Sequence, residues 1–68
     1  MKKIKIFRKQ KGWSQRELAN MIGAGQSRIA MWESDKSKPR VDMLPKLAEL
    51  FDCTIDDLYD KEAENDKH

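Results

Sequence analysis

Apolar residues recur along the chain at spacings of three and four, which is the period of an α-helix. In residues 2–11, Ile4 and Phe7 lie three apart and predict one inner face, with the lysines and arginines outside. Gly12 predicts the end of this first helix, because glycine adopts the left-handed conformation without a Cβ clash. No period-two alternation is sustained and no Asn-Gly turn occurs, so no strands are expected.

A capping box in the stretch SQRELANMIG predicts the second helix. The Ser14 hydroxyl is expected to accept from the third helical N–H, and the Glu17 side chain to bind the Ser14 N–H in return. Trp13 precedes the cap and Leu18 is the fourth helical residue, which suits a hydrophobic staple. Gly23 predicts the end of this helix. Its inner stripe consists of Leu18, Ala19 and Ile22.

The third predicted helix covers about residues 26–34, with Gly25 or Ala24 at its N-cap, where glycine is tolerated. Ile29 and Trp32 are its inner positions. Asp35 follows the helix, and aspartate can take the left-handed conformation there, although less readily than glycine.

The fourth predicted helix runs from about residue 42 or 43 to residue 51. Asp42 is its predicted N-cap, and Pro45 falls in the first turn, where a missing N–H does no harm. Its core stripe consists of Leu44, Leu47, Ala48 and Phe51.

Thr54 is predicted to cap a fifth, short helix, with Asp57 in the reciprocal position. Residues 61–68 are polar and uncapped, so we expect a flexible tail after a domain of residues 1–60. The inward residues of the fifth helix are Ile55 and Leu58.

The chain has 68 residues, of which 38% are charged, so at most one domain is expected. A domain this small builds a binding surface more readily than a desolvated catalytic cleft, and no enzyme is predicted. No 18-residue apolar run and no signal-peptide h-region occur, so a cytoplasmic protein is expected. Cys53 and His68 each stand alone, which predicts no disulfide, metal site or cofactor.

Charge is distributed unevenly along the sequence. Residues 1–40 hold eleven Lys and Arg and three acids, a net charge of +8, whereas residues 41–68 hold three Lys and nine acids, a net charge of −6. Such a chain can turn a basic face toward a polyanion. Solvated helix faces explain the same charges equally well, so charge alone does not decide between the two.

The second and third helices are joined by Gly23, Ala24 and Gly25, as in a helix-turn-helix, although a generic helical hairpin fits this turn too. A longer pattern of residues resembles the Cro/cI-type (lambda-repressor-like, XRE family) helix-turn-helix DNA-binding domain over about residues 3–60. The matching residues are Ile4, Phe7, Arg8, Gly12, Trp13, Ser14, Gln15, Glu17, Leu18, Ala19, Ile22, Gly23, Gln26, Ile29, Trp32, Glu33, Pro39, Leu44, Leu47, Ala48, Phe51, Asp52, Cys53 and Leu58.

The resemblance implies an all-α, five-helix bundle that binds double-stranded operator DNA, usually as a symmetric homodimer, with the third helix in the major groove. Glutamine pairs with adenine and arginine prefers guanine, while serine is permissive. Met31 is expected either to contact a thymine methyl group or to fill a gap beside Trp32, and Arg28 either to read a base or to bind a phosphate. The implied base-contacting residues are Gln26, Ser27, Arg28 and Met31.

A second set of residues is expected at DNA phosphates. In the resemblance, Gln15 matches a position that contacts a phosphate and supports the first recognition residue. The loop after the third helix commonly follows the sugar-phosphate backbone, although it could simply aid solubility. The implied phosphate-contacting residues are Gln15, Arg16, Lys36, Ser37, Lys38 and Arg40, with Lys9 and Lys11 as weaker candidates.

Three residues depart from the family pattern. Asp35 stands where glycine is usual after the third helix and adds negative charge near DNA, and Asp52 stands where glycine is usual after the fourth helix, so the local geometry at both positions is expected to differ from the family pattern. Cys53 stands where valine is usual, and we interpret it as a small buried hydrophobe rather than a redox sensor.

The sequence therefore predicts a small transcriptional regulator, most simply a Cro-like or prophage-type repressor, with no room for a ligand-binding or protease domain and with no small-molecule ligand or membrane partner. The alternative is an antitoxin or another protein-binding module on the same fold, with the acidic tail as partner segment. A neighbouring toxin-like reading frame would favour that alternative.

Overall fold

Residues 1–59 are described by the structure, a computed structural model, and the predicted tail of residues 61–68 lies outside them. The described part contains four α-helices and two 3₁₀ turns and no strand, which confirms the predicted all-α class. None of these helices is long and apolar enough to cross a membrane. The helices are α1 (Lys2–Gln10), α2 (Gln15–Ile22), α3 (Gln26–Glu33) and α4 (Leu44–Phe51), and the 3₁₀ turns are Val41–Met43 and Asp56–Leu58.

The ends of α1 and α2 follow the predicted capping chemistry. The Glu17 N–H donates to Ser14 Oγ at 3.0 Å and the Ser14 N–H donates to Glu17 Oε1 at 2.8 Å, which confirms the capping box. Gly12 follows α1 and Gly23 ends α2, both at a φ of 77°. The chain thus changes direction twice at glycines, which adopt this left-handed conformation without a steric clash of a Cβ atom.

The entry into α4 differs from the prediction. Asp42 caps nothing with its side chain, and the N-cap residue is Met43, at φ −83° and ψ −22°. The chain is already coiled in the Val41–Met43 turn, where the Met43 N–H donates to the Arg40 carbonyl at 2.9 Å. A side-chain cap needs an extended N-cap residue, which this approach does not provide. Pro45 does lie in the first turn of α4, as predicted.

The predicted fifth helix is only a 3₁₀ turn within residues 1–59. Its reciprocal cap is present: the Asp57 N–H donates to Thr54 Oγ1 at 3.2 Å and the Thr54 N–H donates to Asp57 Oδ2 at 3.1 Å. Leu58 is fully buried, as predicted, but Ile55 is 38% exposed, so its inward placement is wrong. A three-residue turn presents one side chain to the core rather than a helical stripe.

The core lies where the four helices meet. Phe7 and Trp13 pack against it from the edge, and both lie beside the Phe51 ring, with ring centroids 5.6 and 6.0 Å away. The predicted inner stripes of α2, α3 and α4 are all buried. The buried apolar residues are Met1, Ile4, Leu18, Ala19, Ile22, Ile29, Trp32, Leu44, Leu47, Ala48, Phe51 and Leu58.

The turn between α2 and α3 gives a direct test of the fold. A Cβ at Gly23 would meet no atom within 4 Å, so Gly23→Ala costs only the left-handed backbone conformation. We expect it to lower the free energy of unfolding by about 1–2 kcal/mol, measured by urea denaturation. Gly25→Ala is the matched control, because Gly25 has a φ of −79° and equal space, and equal losses in both variants would contradict this account.

Candidate nucleic-acid interface

The outer surface of α3 carries the four predicted base-facing residues. Gln26, Ser27 and Arg28 are exposed in its first turn, and Met31 is 40% exposed one turn later. The opposite side of the same helix is buried, through Ile29, Trp32 and Glu33. The helix therefore offers donors, acceptors and one apolar side chain to solvent from a backbone fixed by packing.

The loop that follows α3 folds back onto the end of this helix. The N–H groups of Lys36 and Ser37 both donate to the Met31 carbonyl, at 3.0 and 3.3 Å. Pro39 is buried and anchors the loop, while Lys36, Lys38 and Arg40 are exposed and Ser37 is half-buried. The loop thus holds three cations beside the C-terminal half of α3.

A groove of about 530 Å³ separates α3 from this loop. It brings Arg28 and Met31 of α3 together with Lys38 and Arg40 of the loop. Met31 therefore lies at the junction of the two predicted contact sets. The lining residues are Arg28, Met31, Trp32, Ser37, Lys38, Arg40, Asp42 and Met43.

A buried ion pair joins α1 to the C-terminal end of α3. Arg8 Nε donates to Glu33 Oε2 at 2.6 Å, and Arg8 Nη2 donates to Glu33 Oε1 at 3.2 Å. Arg8 Nη1 donates to the Trp13 carbonyl at 2.8 Å, so the same guanidinium also fixes the turn before α2. Both residues are 8% exposed.

Gln15 is connected to this pair. Its Nε2 donates to Glu33 Oε1 at 3.0 Å, and the residue is half-buried in the first turn of α2. Arg16, the next residue, is exposed. Glu33 thus fixes the orientation of the amide that the sequence predicts at a phosphate.

The charge of Glu33 is stabilised despite its burial. Burial raises the pKa of this carboxyl group, but hydrogen bonds from Arg8 and Gln15, together with the charges of Arg8 and Lys5, outweigh burial, so the pKa lies below its ordinary value of 4.5. Glu33 is therefore ionised at neutral pH, and the pair is a bidentate Arg–carboxylate contact rather than a neutral hydrogen bond.

The ion pair corrects the prediction that every basic residue of α1 lies outside. Arg8 stands four residues after Ile4, and Glu33 stands four residues after Ile29, so each charge occupies a core-facing position of its helix. Opposite charges on two such faces are a detectable signal for a buried pair. The partners are 25 residues apart, which local patterns do not connect.

Asp35 and Asp52 adopt the left-handed conformation that their glycine-like positions require, at φ values of 65° and 58°. The amino group of Met1 binds both the Trp32 carbonyl and Asp35. This hydrogen bond and charge lower the pKa of Asp35, with smaller contributions from Lys2 and Lys38. The negative charge of Asp35 next to the interface is therefore surrounded by cations.

Cys53 is half-buried and packs against the core, as expected for a small hydrophobe. Burial, with the charges of Asp57 and Asp52, raises the pKa of its thiol. Within residues 1–59, no group of three His, Cys, Asp or Glu side chains is placed to hold a metal ion.

Comparison with known proteins gives a consistent picture. A helix-turn-helix family model matches residues 4–58. The chain is 38% identical over 58 residues to the HTH-type transcriptional regulator AnsR of Bacillus subtilis, a match over 85% of this chain and 50% of AnsR. It is 31% identical over 65 residues to the HTH-type transcriptional regulator SinR of the same organism, over 94% of this chain and 59% of SinR.

An uncharacterized HTH-type transcriptional regulator of Archaeoglobus fulgidus is 33% identical over 57 residues, which is 84% of this chain and 81% of that protein. The chain thus spans little more than half the length of the two Bacillus relatives and most of the archaeal one. No solved structure matches the chain.

The buried pair predicts a pH-dependent stability. Glu33→Gln leaves Arg8 buried without a counter-charge, so we expect a loss of about 3 kcal/mol in the free energy of unfolding at pH 7, measured by urea denaturation. The pKa of Glu33 in the folded protein is lowered, so its carboxylate stabilises the fold at pH values above its ordinary pKa of 4.5. This stabilisation is lost as the pH falls below 4.5 and through the pKa of the folded state. The difference between wild type and variant should shrink at pH 3.

The control replaces both charges at once. Arg8→Met with Glu33→Met leaves no unpaired charge and should be more stable than Glu33→Gln at pH 7. A wild-type to Glu33→Gln difference that stays constant from pH 7 to pH 3 would contradict the assigned role of the carboxylate.

Proposed function

We propose that this chain, which belongs to the helix-turn-helix family of transcriptional regulators, is a Cro-like, prophage-type repressor. The members of this family bind double-stranded DNA and are not enzymes. In this proposal it binds a palindromic operator as a homodimer and represses by occluding RNA polymerase. A transcriptional regulator acts where the chromosome lies, so we also propose a cytoplasmic location.

The two-sided character of α3 is the observation that carries this proposal. Gln26, Ser27 and Met31 face solvent from a helix whose other side is buried, so they can enter the major groove without unfolding any contact. Glutamine offers both a donor and an acceptor for the adenine edge, and a methionine side chain can contact a thymine methyl group. Arg28 lines the groove of the protein between α3 and the following loop, and its guanidinium can bind either a guanine or a phosphate.

Phosphate contacts would hold α3 in register. Lys36, Lys38 and Arg40 are exposed in the loop after α3, and Gln15 and Arg16 lie in the first turn of α2. These residues, with Ser37, are proposed to bracket the major groove on its two backbones. Such contacts give affinity and orientation rather than sequence choice.

Dimerisation is proposed through the region of α4 and the second 3₁₀ turn. Ile55 and Tyr59 each remain 38% exposed there, which gives this surface apolar area to bury. A symmetric pair of α3 helices would then read half-sites about 34 Å apart, one turn of the double helix. The operator should therefore be a palindrome with that spacing.

Selection from random duplex DNA tests the proposal as a whole. We expect the purified chain to enrich a palindromic sequence, and analytical ultracentrifugation with the enriched duplex to show two chains on each duplex. Enrichment of no sequence, with weak and steeply salt-dependent binding to every duplex, would contradict it.

Gln26→Ala tests base readout. We expect it to weaken binding to the enriched duplex by about 1–3 kcal/mol, with binding to scrambled duplex unchanged, in fluorescence anisotropy titrations. Gln10→Ala is the matched control, because Gln10 is an exposed glutamine at the end of α1. An equal loss on both duplexes would show that Gln26 does not read a base.

A further inference from the structure

Lys5 lies on α1 between two residues that bind the C-terminal end of α3. Arg8, three residues after it on α1, and Met1, the N-cap residue four before it, are its neighbours on the helix surface. Both are bound to the C-terminal end of α3, Met1 through the Trp32 carbonyl and Arg8 through Glu33. Lys5 itself is exposed. Lys5 therefore lies beside the part of the α1 surface that is joined to the C-terminal end of α3.

Lys5 adds a positive charge next to an Arg8–Glu33 pair whose two charges already balance. The Arg8 guanidinium matches the Glu33 carboxylate within one bidentate contact. Lys5 adds a second positive charge to the same cluster, and it contributes to the lowered pKa of Glu33. The junction of α1, α2 and α3 thus carries a net positive charge although an ionised carboxylate lies at its centre.

Gln15 offers a donor at the same junction. One Nε2 hydrogen of its amide binds Glu33 Oε1, and the amide nitrogen carries a second hydrogen. A phosphate that approaches this amide also approaches the Glu33 carboxylate, which would repel it unless cations outweigh that charge. Arg8 alone only balances Glu33, so Lys5 of α1, together with the exposed Arg16 beside Gln15, supplies the attraction.

We propose that Lys5 and Gln15 together bind one phosphate of the DNA backbone, with Arg8 and Glu33 as positioning residues beneath them. This inference rests on the proposed function and extends the interface from α2, α3 and the loop to α1. Lys5 supplies the charge, Gln15 supplies a directed N–H donor, and Glu33 fixes the amide. The α1 helix then contacts DNA directly as well as supporting α3.

The salt dependence of DNA binding tests this site. Each phosphate contact by a cation contributes about 0.9 to the slope of log K against log salt concentration. We therefore expect Lys5→Gln to reduce the slope by about one in anisotropy titrations with a scrambled duplex. Lys3→Gln is the matched control: Lys3 lies on the opposite side of α1, 5.9 Å above the Phe7 ring, and its loss should leave the slope unchanged.

Two further variants separate charge from fold. Lys5→Arg keeps the cation and should retain the wild-type slope, whereas a loss of slope in both Lys5 variants would overturn the proposal. Circular dichroism melting of each variant before titration establishes that the folded protein is compared. A wild-type slope for folded Lys5→Gln would also overturn the proposal.

Lys38→Gln distinguishes the failure of this site from the failure of the proposed function. A lower slope for Lys38→Gln with an unchanged slope for Lys5→Gln would refute the α1 contact and leave the proposed interface intact. Unchanged slopes for both variants would refute the proposed interface as well.

A double variant tests whether the two residues share a phosphate. Lys5→Gln combined with Gln15→Ala should weaken binding by less than the product of the two single fold-changes, because either change alone already disrupts the same contact. Independent effects, whose fold-changes multiply, would overturn the shared site.

Discussion

The ion pair between Arg8 and Glu33 connects α1 to α3 and, through the Trp13 carbonyl and Gln15, to the start of α2. Arg8 belongs to α1 and also binds the carbonyl of Trp13, while Glu33 belongs to α3 and also binds Gln15 of α2. Two charges taken out of water cost several kcal/mol each, so such a pair is retained only with good geometry and further hydrogen bonds. Here the bidentate contact and the two additional bonds supply both, and they set one relative orientation of the three helices.

This orientation matters because α3 cannot be stable by itself. It has eight residues, no side-chain N-cap, and only Ile29 and Trp32 as buried apolar anchors. Isolated helices shorter than about 12–15 residues are marginal in water. The exposed surface of α3 is therefore a product of tertiary packing, and the Arg8–Glu33 pair acts at the end of α3 opposite to its exposed first turn.

Local rules predict most of this fold from the sequence. The capping box of Ser14 and Glu17 and the left-handed glycines at 12 and 23 act within a few residues, so the start of α2 and the ends of α1 and α2 lie within about one residue of the predicted positions. These rules fail where the backbone conformation that leads into a helix decides whether a side chain can cap it. Asp42 has the chemistry of a cap, but it lies within the 3₁₀ turn that leads into α4 and not on an extended backbone, and within residues 1–59 the predicted fifth helix is a separate 3₁₀ turn.

The candidate site likewise has one part that the sequence predicts and one part that it does not. The exposure of Gln26, Ser27 and Arg28 follows from helical periodicity once Ile29 and Trp32 are taken as buried. The network of Arg8, Glu33 and Gln15 could not be obtained from spacing within any one helix, because it joins residues from three. Its only trace in the sequence is a charge at a core-facing position of two different helices.

The separation of the two sides of α3 has an evolutionary consequence. Among the described residues, the side chains of Gln26, Ser27 and Arg28 are exposed, and the folding of the domain rests on the opposite side of the helix. Exchanging exposed residues away from such packing usually changes stability by less than about 0.5 kcal/mol. In the proposed function, a new operator preference can therefore arise by substitution in a single helical turn without a compensating change elsewhere, so the scaffold can be inherited intact while its target DNA diverges.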